Sequence, residues 1–335
     1  MFSRRRFLRS IAGLSAFGVS TASYGVGIEP LQLRVTRYHP TPPRWPADFP
    51  LTIAVLTDLH ACDPWMSVER IEGIVARTNA LNADLIVLLG DYMASHHRVT
   101  RFIPANEWAA PLAHLKAPLG VHAIMGNHDY WTDRTVQRAG HGKTVAHRAL
   151  EAAGIPVYEN DAVRLSKDGR SFWLLGLGDQ LAFLPARRLG LVARSGIDDL
   201  GATLAKVTDD APVILLAHEP NIALRVPSRV ALQLSGHTHG GQVRLFGWSP
   251  AVPSQDGIQL AYGYFRADEV GVGLPSMPSS PTQRSWGNSG AASSISQAAT
   301  LKCDVIVSGG LGCSILPLRV GVLPEIVLVT LAVRF

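Results

Sequence analysis

Five short apolar runs in this chain each end in side chains that bind protons or metals, and that recurrence constrains the fold more than any other feature. "LTIAVLTDLH" (51–60) delivers Asp58 and His60, and "ADLIVLLGDY" (83–92) delivers Asp91. "GVHAIMGNHD" (120–129) delivers Asn127, His128 and Asp129, "APVILLAHEP" (211–220) delivers His218, and "VALQLSGHTHG" (230–240) delivers His237 and His239. Continuous apolar runs of strand length read as strands buried on both faces. From Ser67, a candidate N-cap, to Leu81, the residues Ile71, Ile74, Val75 and Leu81 fall at helical spacing. A second helical stretch over 144–153 stops at Gly154. Further strands are expected at "SFWLLGLGD" (171–179), "DVIVSGGLG" and "PEIVLVTLAV". The alternation predicts an α/β architecture. Ligands of open α/β sheets bind beyond the carboxyl ends of the strands, so five such ends predict one polar cluster. A single strand-end aspartate is normally a turn former, and a lone histidine is normally a hydrogen-bonded bystander. The agreement of five ends is what points to chemistry.

The chain has 335 residues, 47% of them hydrophobic, enough for one sizeable core, and we expect a single domain over 50–335. Its net charge of +5 comes partly from arginines at the extreme N-terminus. No basic stripe with interleaved aromatics remains to suggest a nucleic-acid partner. Residues 1–28 read as an export signal: Arg4, Arg5, Arg6 and Arg9, then a weakly apolar stretch from Ile11 to Val19, then small residues at Ser20 and Ala22. The order Ser3-Arg4-Arg5-Arg6-Phe7-Leu8-Arg9 matches the twin-arginine type. The apolar stretch falls short of the ~20 residues a membrane span needs. An exported protein, periplasmic or in the cell envelope, carried by the twin-arginine machinery, is therefore expected; cleavage and retention of the signal both stay open. The cysteines are Cys62, Cys303 and Cys313, an odd number, with a Cys303–Cys313 bridge one available pairing. No CxxC pair exists to build a thiolate zinc site. Residues 271–300, rich in Ser, Gly and Pro without periodicity, read as a flexible surface insertion.

The ordered set Asp58-Leu59-His60, Gly90-Asp91, Gly126-Asn127-His128-Asp129, His218 and Gly236-His237-Thr238-His239 resembles the signature of calcineurin-like metallophosphoesterases, over about residues 51–245. With the N-terminal signal and "HTHGGQV", it is most similar to the exported bacterial branch resembling UDP-2,3-diacylglucosamine hydrolases. The resemblance implies a four-layer α/β/β/α sandwich with the site at one sheet edge. It implies two divalent ions (Mn, Fe or Zn), one on Asp58, His60 and His239, the other on Asn127, His218 and His237, with Asp91 bridging. Imidazole, carboxylate and amide donors suit such ions. The implied reaction is hydrolysis of a phosphodiester or pyrophosphate by a metal-bridging hydroxide, with His128 as general acid. Asp129 either orients His128 or caps the next turn. A phosphoester partner follows, and the signal together with the apolar, glycine-rich segment 270–278 points to a lipid-linked envelope substrate and peripheral membrane association. A catalytically inactive binding scaffold and a phosphomonoesterase or protein phosphatase are the alternatives; an intact set of ligands together with His128 favours catalysis.

Other residues read more plainly. Cys62, two residues past His60, is expected to be a small buried residue. Gly309 stands where related branches carry arginine, and Arg319 either compensates or is a surface residue. Asp63, Asp179, His96, His97, His122 and His147 are expected to be structural or solvated, with His96 and His97 the pair placed to line a substrate cleft.

Overall fold

The apolar runs become strands of two sheets, and each run divides its side chains between two cores. The computed structural model describes residues 23–96, 98–184, 195–252, 260–267 and 300–332. The first sheet has the order β1-β13-β2-β4-β6, from β1 (Arg34–Tyr38), β2 (Leu51–Leu56), β4 (Leu85–Leu88), β6 (Val121–Ala123) and β13 (Glu325–Leu331). β2, β4 and β6 run parallel, and β13 inserts antiparallel to β2. The second sheet has the order β11-β12-β10-β9-β8-β7, from β7 (Asp161–Lys167), β8 (Arg170–Gly176), β9 (Val213–Leu216), β10 (Leu232–Ser235), β11 (Gly263–Phe265) and β12 (Asp304–Val307). Its inner four strands are parallel and its two edge strands antiparallel. A ribbon of β3 (Cys62–Asp63) and β5 (Arg101–Phe102) stands apart.

Side chains alternate across a strand, and the cores follow. Ile53, Val55, Leu85 and Val87 face the second sheet and meet Phe172, Leu174, Ile214, Leu216 and Leu234. Their neighbours Ala54, Leu56, Ile86 and Leu88 face helices, packing with Ile71, Ile74, Trp108 and Leu150. On the far side of the second sheet, Leu175, Val213, Leu215 and Val305 pack against Ile222 and Val226. The result is the expected four layers. Each fully buried aliphatic side chain contributes about 1.5–3 kcal/mol, which is why both faces of these strands must be apolar.

The covering helices are α1 (Val68–Asn79), α2 (Ala105–Leu112), α3 (Asn127–Trp131), α4 (Arg134–Ala139), α5 (Val145–Ala152) and α6 (Leu200–Ala205). Ser67 caps α1, its side chain accepting from Arg70 N at 3.3 Å, and Thr144 caps α5 from His147 N at 3.1 Å. The expected strand over 120–129 is shorter than its apolar run. It ends at Ala123, and Asn127 already opens α3, because the Asp129 carboxylate at its third position accepts Gly126 N at 2.9 Å and closes the first turn. The β7–β8 hairpin turns at Asp168 (φ 53) and Gly169 (φ 77), the left-handed pair of a two-residue turn. All three cysteines are free and buried, so the Cys303–Cys313 bridge does not form. Residues 1–22 of the export signal, 271–299 of the insertion, and His97 lie outside the described residues.

Candidate metal centre

At the strand ends the backbone itself is unusual. Asp58 (φ 55), His60 (φ 45), Asp91 (φ 57), His237 (φ 68) and His239 (φ 51) all lie in the left-handed region. That conformation costs a non-glycine residue about 1–3 kcal/mol. Here it turns the chain back over the end of its strand and is held by Asp58 N on Gly90 O and His60 N on Asp91 O, both at 3.0 Å. Two glycines permit the crowding. A Cβ on Gly126 would lie 2.4 Å from Asp91 Oδ1, and one on Gly236 would lie 2.5 Å from Asp58 Oδ2.

The five strands do not share a sheet. β2, β4 and β6 belong to the first sheet, and β9 and β10 to the second. The cluster therefore spans the carboxyl ends of both sheets rather than one sheet edge, because the sandwich packs those ends side by side.

Three groups of ligand atoms gather there, each within 4.8 Å: Asp58, His60 and His239; Asp91, His218 and His237; and, sharing His218 with the second, Asp179, His218 and Glu219. In the first, His239 Nε2 lies 3.3 Å from Asp58 Oδ1 and 3.0 Å from His60 Nε2. In the second, Asn127 Oδ1 lies 2.9 Å from His237 Nδ1. Asp91 stands between the first two groups, its Oδ2 lying 3.6 Å from His60 Nε2 and 3.2 Å from His218 Nε2. The structure thus brings these seven side chains together at the strand ends.

The donor set fits divalent cations. His60 Nδ1 sits 3.0 Å from Met93 O, and His218 Nδ1 sits 2.6 Å from Leu89 O. A carbonyl only accepts, so each ring carries a proton on Nδ1 and turns Nε2 toward the Asp91 carboxylate. A ring nitrogen facing a carboxylate calls for a positive charge between them, a proton or a metal cation. Burial lowers His60 to about 3 and His237 to about 4, keeping both rings neutral and available as ligands. His218 behaves oppositely: burial, the largest single influence, lowers it, but the charge and hydrogen bond of Asp91 with the charges of Asp58 and Glu219 together outweigh burial and raise it well above its ordinary value. Where a proton is so strongly demanded, a divalent ion meets the same demand. Asp58 and Asp91 both stay below the usual carboxylate range, their histidine neighbours outweighing the burial that would raise them. Asn127 Nδ2 makes no hydrogen bond, consistent with an amide oriented by its oxygen.

His128 stands beside the first group, its ring edge-on to His60 with centroids 4.9 Å apart. Its partners are two serines that sequence reasoning missed: Ser95 Oγ at 2.6 Å from Nδ1 and Ser314 Oγ at 3.3 Å from Nε2. Small polar loop residues carry no signal that would have found them. Asp129 does not orient His128. Its carboxylate accepts N–H bonds from Asp91, Tyr92 and Met93 as well as Gly126, so it ties the Asp91 loop to the start of α3. Burial and the Asp91 charge raise Asp129 to about 7, against the pull of those N–H donors.

Arg319 is neither a surface residue nor free to face a phosphate. It is completely buried, with Nε on Gly312 O at 3.0 Å, Nη1 on Val322 O at 3.2 Å, and Nη2 3.3 Å from His239 Nδ1. It braces the loop after β12 against the back of His239. At Gly309 a Cβ would meet Val322 and Tyr262 within 3.1 Å, so that position points into packing. Asp179 is buried beside His218 and Glu219, and burial and then Glu219 raise it well above the carboxylate range. Glu219, the acid directly after His218, is the feature that could have flagged this pair. Cys62 is buried as expected, its thiol pushed up to about 11 chiefly by burial. His96 is buried with Cys62 Sγ 3.8 Å from its Nε2, His122 bonds Tyr158 and Leu119 O, His147 lies 3.5 Å from Glu151, and Asp63 pairs with Arg101 at 2.8 Å.

Two sheets between helical layers, with carboxylates, imidazoles and an amide gathered at their strand ends, are the marks of a metallophosphoesterase. The chain belongs to the calcineurin-like phosphoesterase family, whose model matches residues 51–241. It is 30% identical over 294 residues to the uncharacterized metallophosphoesterase YkuE of Bacillus subtilis, covering 82% of this chain and 92% of that protein. It is 29% identical over 255 residues to an uncharacterized metallophosphoesterase of Aquifex aeolicus, covering 75% and 88%. A zebrafish (Danio rerio) transmembrane protein with a metallophosphoesterase domain is 30% identical over 210 residues, covering 58% of this chain but only 41% of that protein. The family uses divalent metals, and this chain carries the groups to hold them.

Proposed function

We propose that this protein is a dinuclear metal-dependent phosphoesterase acting on a phosphodiester or pyrophosphate. Asp58, His60 and His239 would hold one ion and Asn127, His218 and His237 the other, with Asp91 placed between the two groups. The observation that carries this reading is the meeting of two ligand groups at one carboxylate, with the unused His128 ring alongside. When bound, Mn, Fe or Zn ions would polarise the phosphoryl oxygens and make a water nucleophile available near neutral pH.

The chain's own residues supply the remainder. With Ser95 Oγ as the donor to His128 Nδ1, the proton of the neutral ring sits on Nε2, beside Ser314 Oγ at 3.3 Å, and Nε2 is the atom that would meet a leaving oxygen. Burial lowers His128, so the resting ring is neutral, and to act as general acid it must first take up a second proton and become imidazolium. General-acid help of this kind is worth ~10²–10⁴-fold. Asp129 is a positioning residue, fixing the backbone from which Asp91 projects.

The order Ser3 to Arg9 supports twin-arginine export to the periplasm or cell envelope. There the substrate class would be an envelope phosphoester, lipid-linked as in the UDP-2,3-diacylglucosamine hydrolase-like branch.

Protein reconstituted with manganese should hydrolyse bis-p-nitrophenyl phosphate faster than p-nitrophenyl phosphate, and Asp91→Asn should abolish both activities. Two bound ions with no hydrolysis would establish the scaffold reading instead, and a preference for the monoester would establish a phosphomonoesterase. Replacing Arg4 and Arg5 by Lys should leave the precursor in the cytoplasm; unchanged export would remove the twin-arginine assignment.

A further inference from the structure

Large hydrophobic side chains left exposed on this protein are not scattered. Twelve such residues stand exposed among the described residues, and nine of them come from three short segments: Tyr24, Val26, Ile28 and Leu31; Leu245, Phe246 and Trp248; Ile315 and Leu316. These segments touch one another. Val243 bridges to Val320, and Gln242 Nε2 reaches Leu316 O at 2.9 Å and Leu318 O at 3.2 Å. Arg319 N donates to Gly25 O at 2.9 Å, and Gly25 packs directly on the side chains of Leu318 and Val320. Phe246 is fully exposed and Ile315 is 78% exposed. Isolated exposed apolar residues need no explanation, but a contiguous group of this size marks an interaction surface.

We propose that this face docks on an anionic lipid bilayer and holds the metal centre against the membrane surface. Three observations favour a bilayer over a protein partner. The apolar groups include a tryptophan and a tyrosine, the side-chain types enriched at membrane interfaces. The segments 23–31, 242–250 and 314–320 contain one acidic residue, Glu29, and it is buried, accepting Val322 N at 2.9 Å. The only other charged residues in these segments are Arg244 and the buried Arg319, so no exposed carboxylate opposes an anionic surface. Finally, the sequence before Ser23 carries Arg4, Arg5, Arg6 and Arg9 followed by the apolar Ile11 to Val19. Basic and apolar residues together are what an interfacial segment requires. Among the described residues no helix is long and apolar enough to cross a membrane.

The face adjoins the site. Ser314, next to Ile315, is 3.3 Å from His128 Nε2, and Gln242 follows the turn that carries His239. A phosphoester headgroup at the centre could therefore leave its acyl chains in the bilayer. This deepens the lipid-linked reading of the substrate and rests on it only for the direction from which substrate arrives.

The test is sedimentation of the full, manganese-loaded chain with vesicles of phosphatidylethanolamine and phosphatidylglycerol, compared with phosphatidylcholine alone. Wild type should bind the anionic vesicles preferentially. The triple variant Phe246→Ser, Trp248→Ser, Ile315→Ser should lose at least about tenfold in partitioning, and the single Phe246→Ser should lose less. Hydrolysis of soluble bis-p-nitrophenyl phosphate should not change in either. Wild type that stays in the supernatant, or variants that sediment as wild type does, would overturn the proposal. So would replacement of Arg4, Arg5, Arg6 and Arg9 by Gln accounting for all of the binding. If size-exclusion chromatography shows a wild-type dimer that the triple variant splits, without vesicle binding, the face is an interface between copies. Vesicle binding is read without turnover, so failure of the phosphoesterase reading would show separately, as binding without hydrolysis.

Discussion

The two halves of the centre have similar donors and opposite backing. Asp58, His60 and His239 have the buried guanidinium of Arg319 behind them, 3.3 Å from the His239 ring. His218, beside Asp91 and His237, has instead two buried acids behind it, Asp179 and Glu219, and Asp179 Oδ2 and Glu219 Oε1 make no hydrogen bond. Ligand identity alone would predict similar ions on both sides. The next layer separates them, since a cation stands behind one half and an acid pair behind the other in an interior that screens poorly. Asp179, raised well above the carboxylate range by burial and Glu219, holds a proton, so the pair presents less than two full negative charges. The half at His218 should hold its ion more tightly, and the half at His60 should exchange more readily.

The strongest way to break this comparison is to remove one ligand from each half. His239→Ala should release one ion and leave the other, and His237→Ala should do the reverse. Activity should fall about a thousandfold in both, about 4 kcal/mol of transition-state stabilisation. Metal analysis after dialysis decides: loss of both ions from either variant would mean that the halves are not separable. His128→Asn belongs to neither half. It should cost about a hundredfold in kcat, within the range of general-acid help, while both ions stay bound; a drop in metal content would make His128 a ligand instead.

A finer probe addresses the backing layer. Glu219→Gln should weaken the second ion about tenfold, the lower end of what outer partners contribute, and leave the first unchanged. Equal weakening, read by competition with a chelator, would refute the electrostatic account. The smallest effect concerns pH. His60 and His237 are held near about 3 and 4 by burial, against about 6.5 in an unfolded chain. Their contribution is complete above about pH 6.5 and is lost as pH falls, because the unfolded chain takes up protons that the folded chain refuses. Metal-free His237→Asn should therefore lose less stability than wild type between pH 7 and pH 5, by about 1 kcal/mol, in urea unfolding. Identical slopes would show that His237 is not held neutral.

How much of this was legible in the residues varied with the range of the interaction. Ser67 and Thr144 were readable as caps or helix starts because a cap acts within three residues. The strand positions followed from apolar runs, though β6 ends at Ala123, short of its run, because the Asp129 side chain starts α3 early. Helix α2 escaped because Pro111 near its end masks the periodicity. Asp129 was legible as a polar strand-end residue, but its actual partners, the backbone of Asp91 to Met93, lie on another strand end.

By itself, the order of residues determined the donors and the layers. Apolar runs of strand length must be buried on both faces, and the polar groups that follow them must leave the sheet at its carboxyl end. Tertiary structure alone decided the rest. It split the five strands between two sheets, set five ligands in left-handed backbone, and sank Arg319 behind His239. It also brought Ser95 and Ser314 to one imidazole, and segments near residues 25, 245 and 315 to one apolar face. These are meetings between residues far apart in the chain. Local propensity carries no information about them; the packing of one sheet on another does.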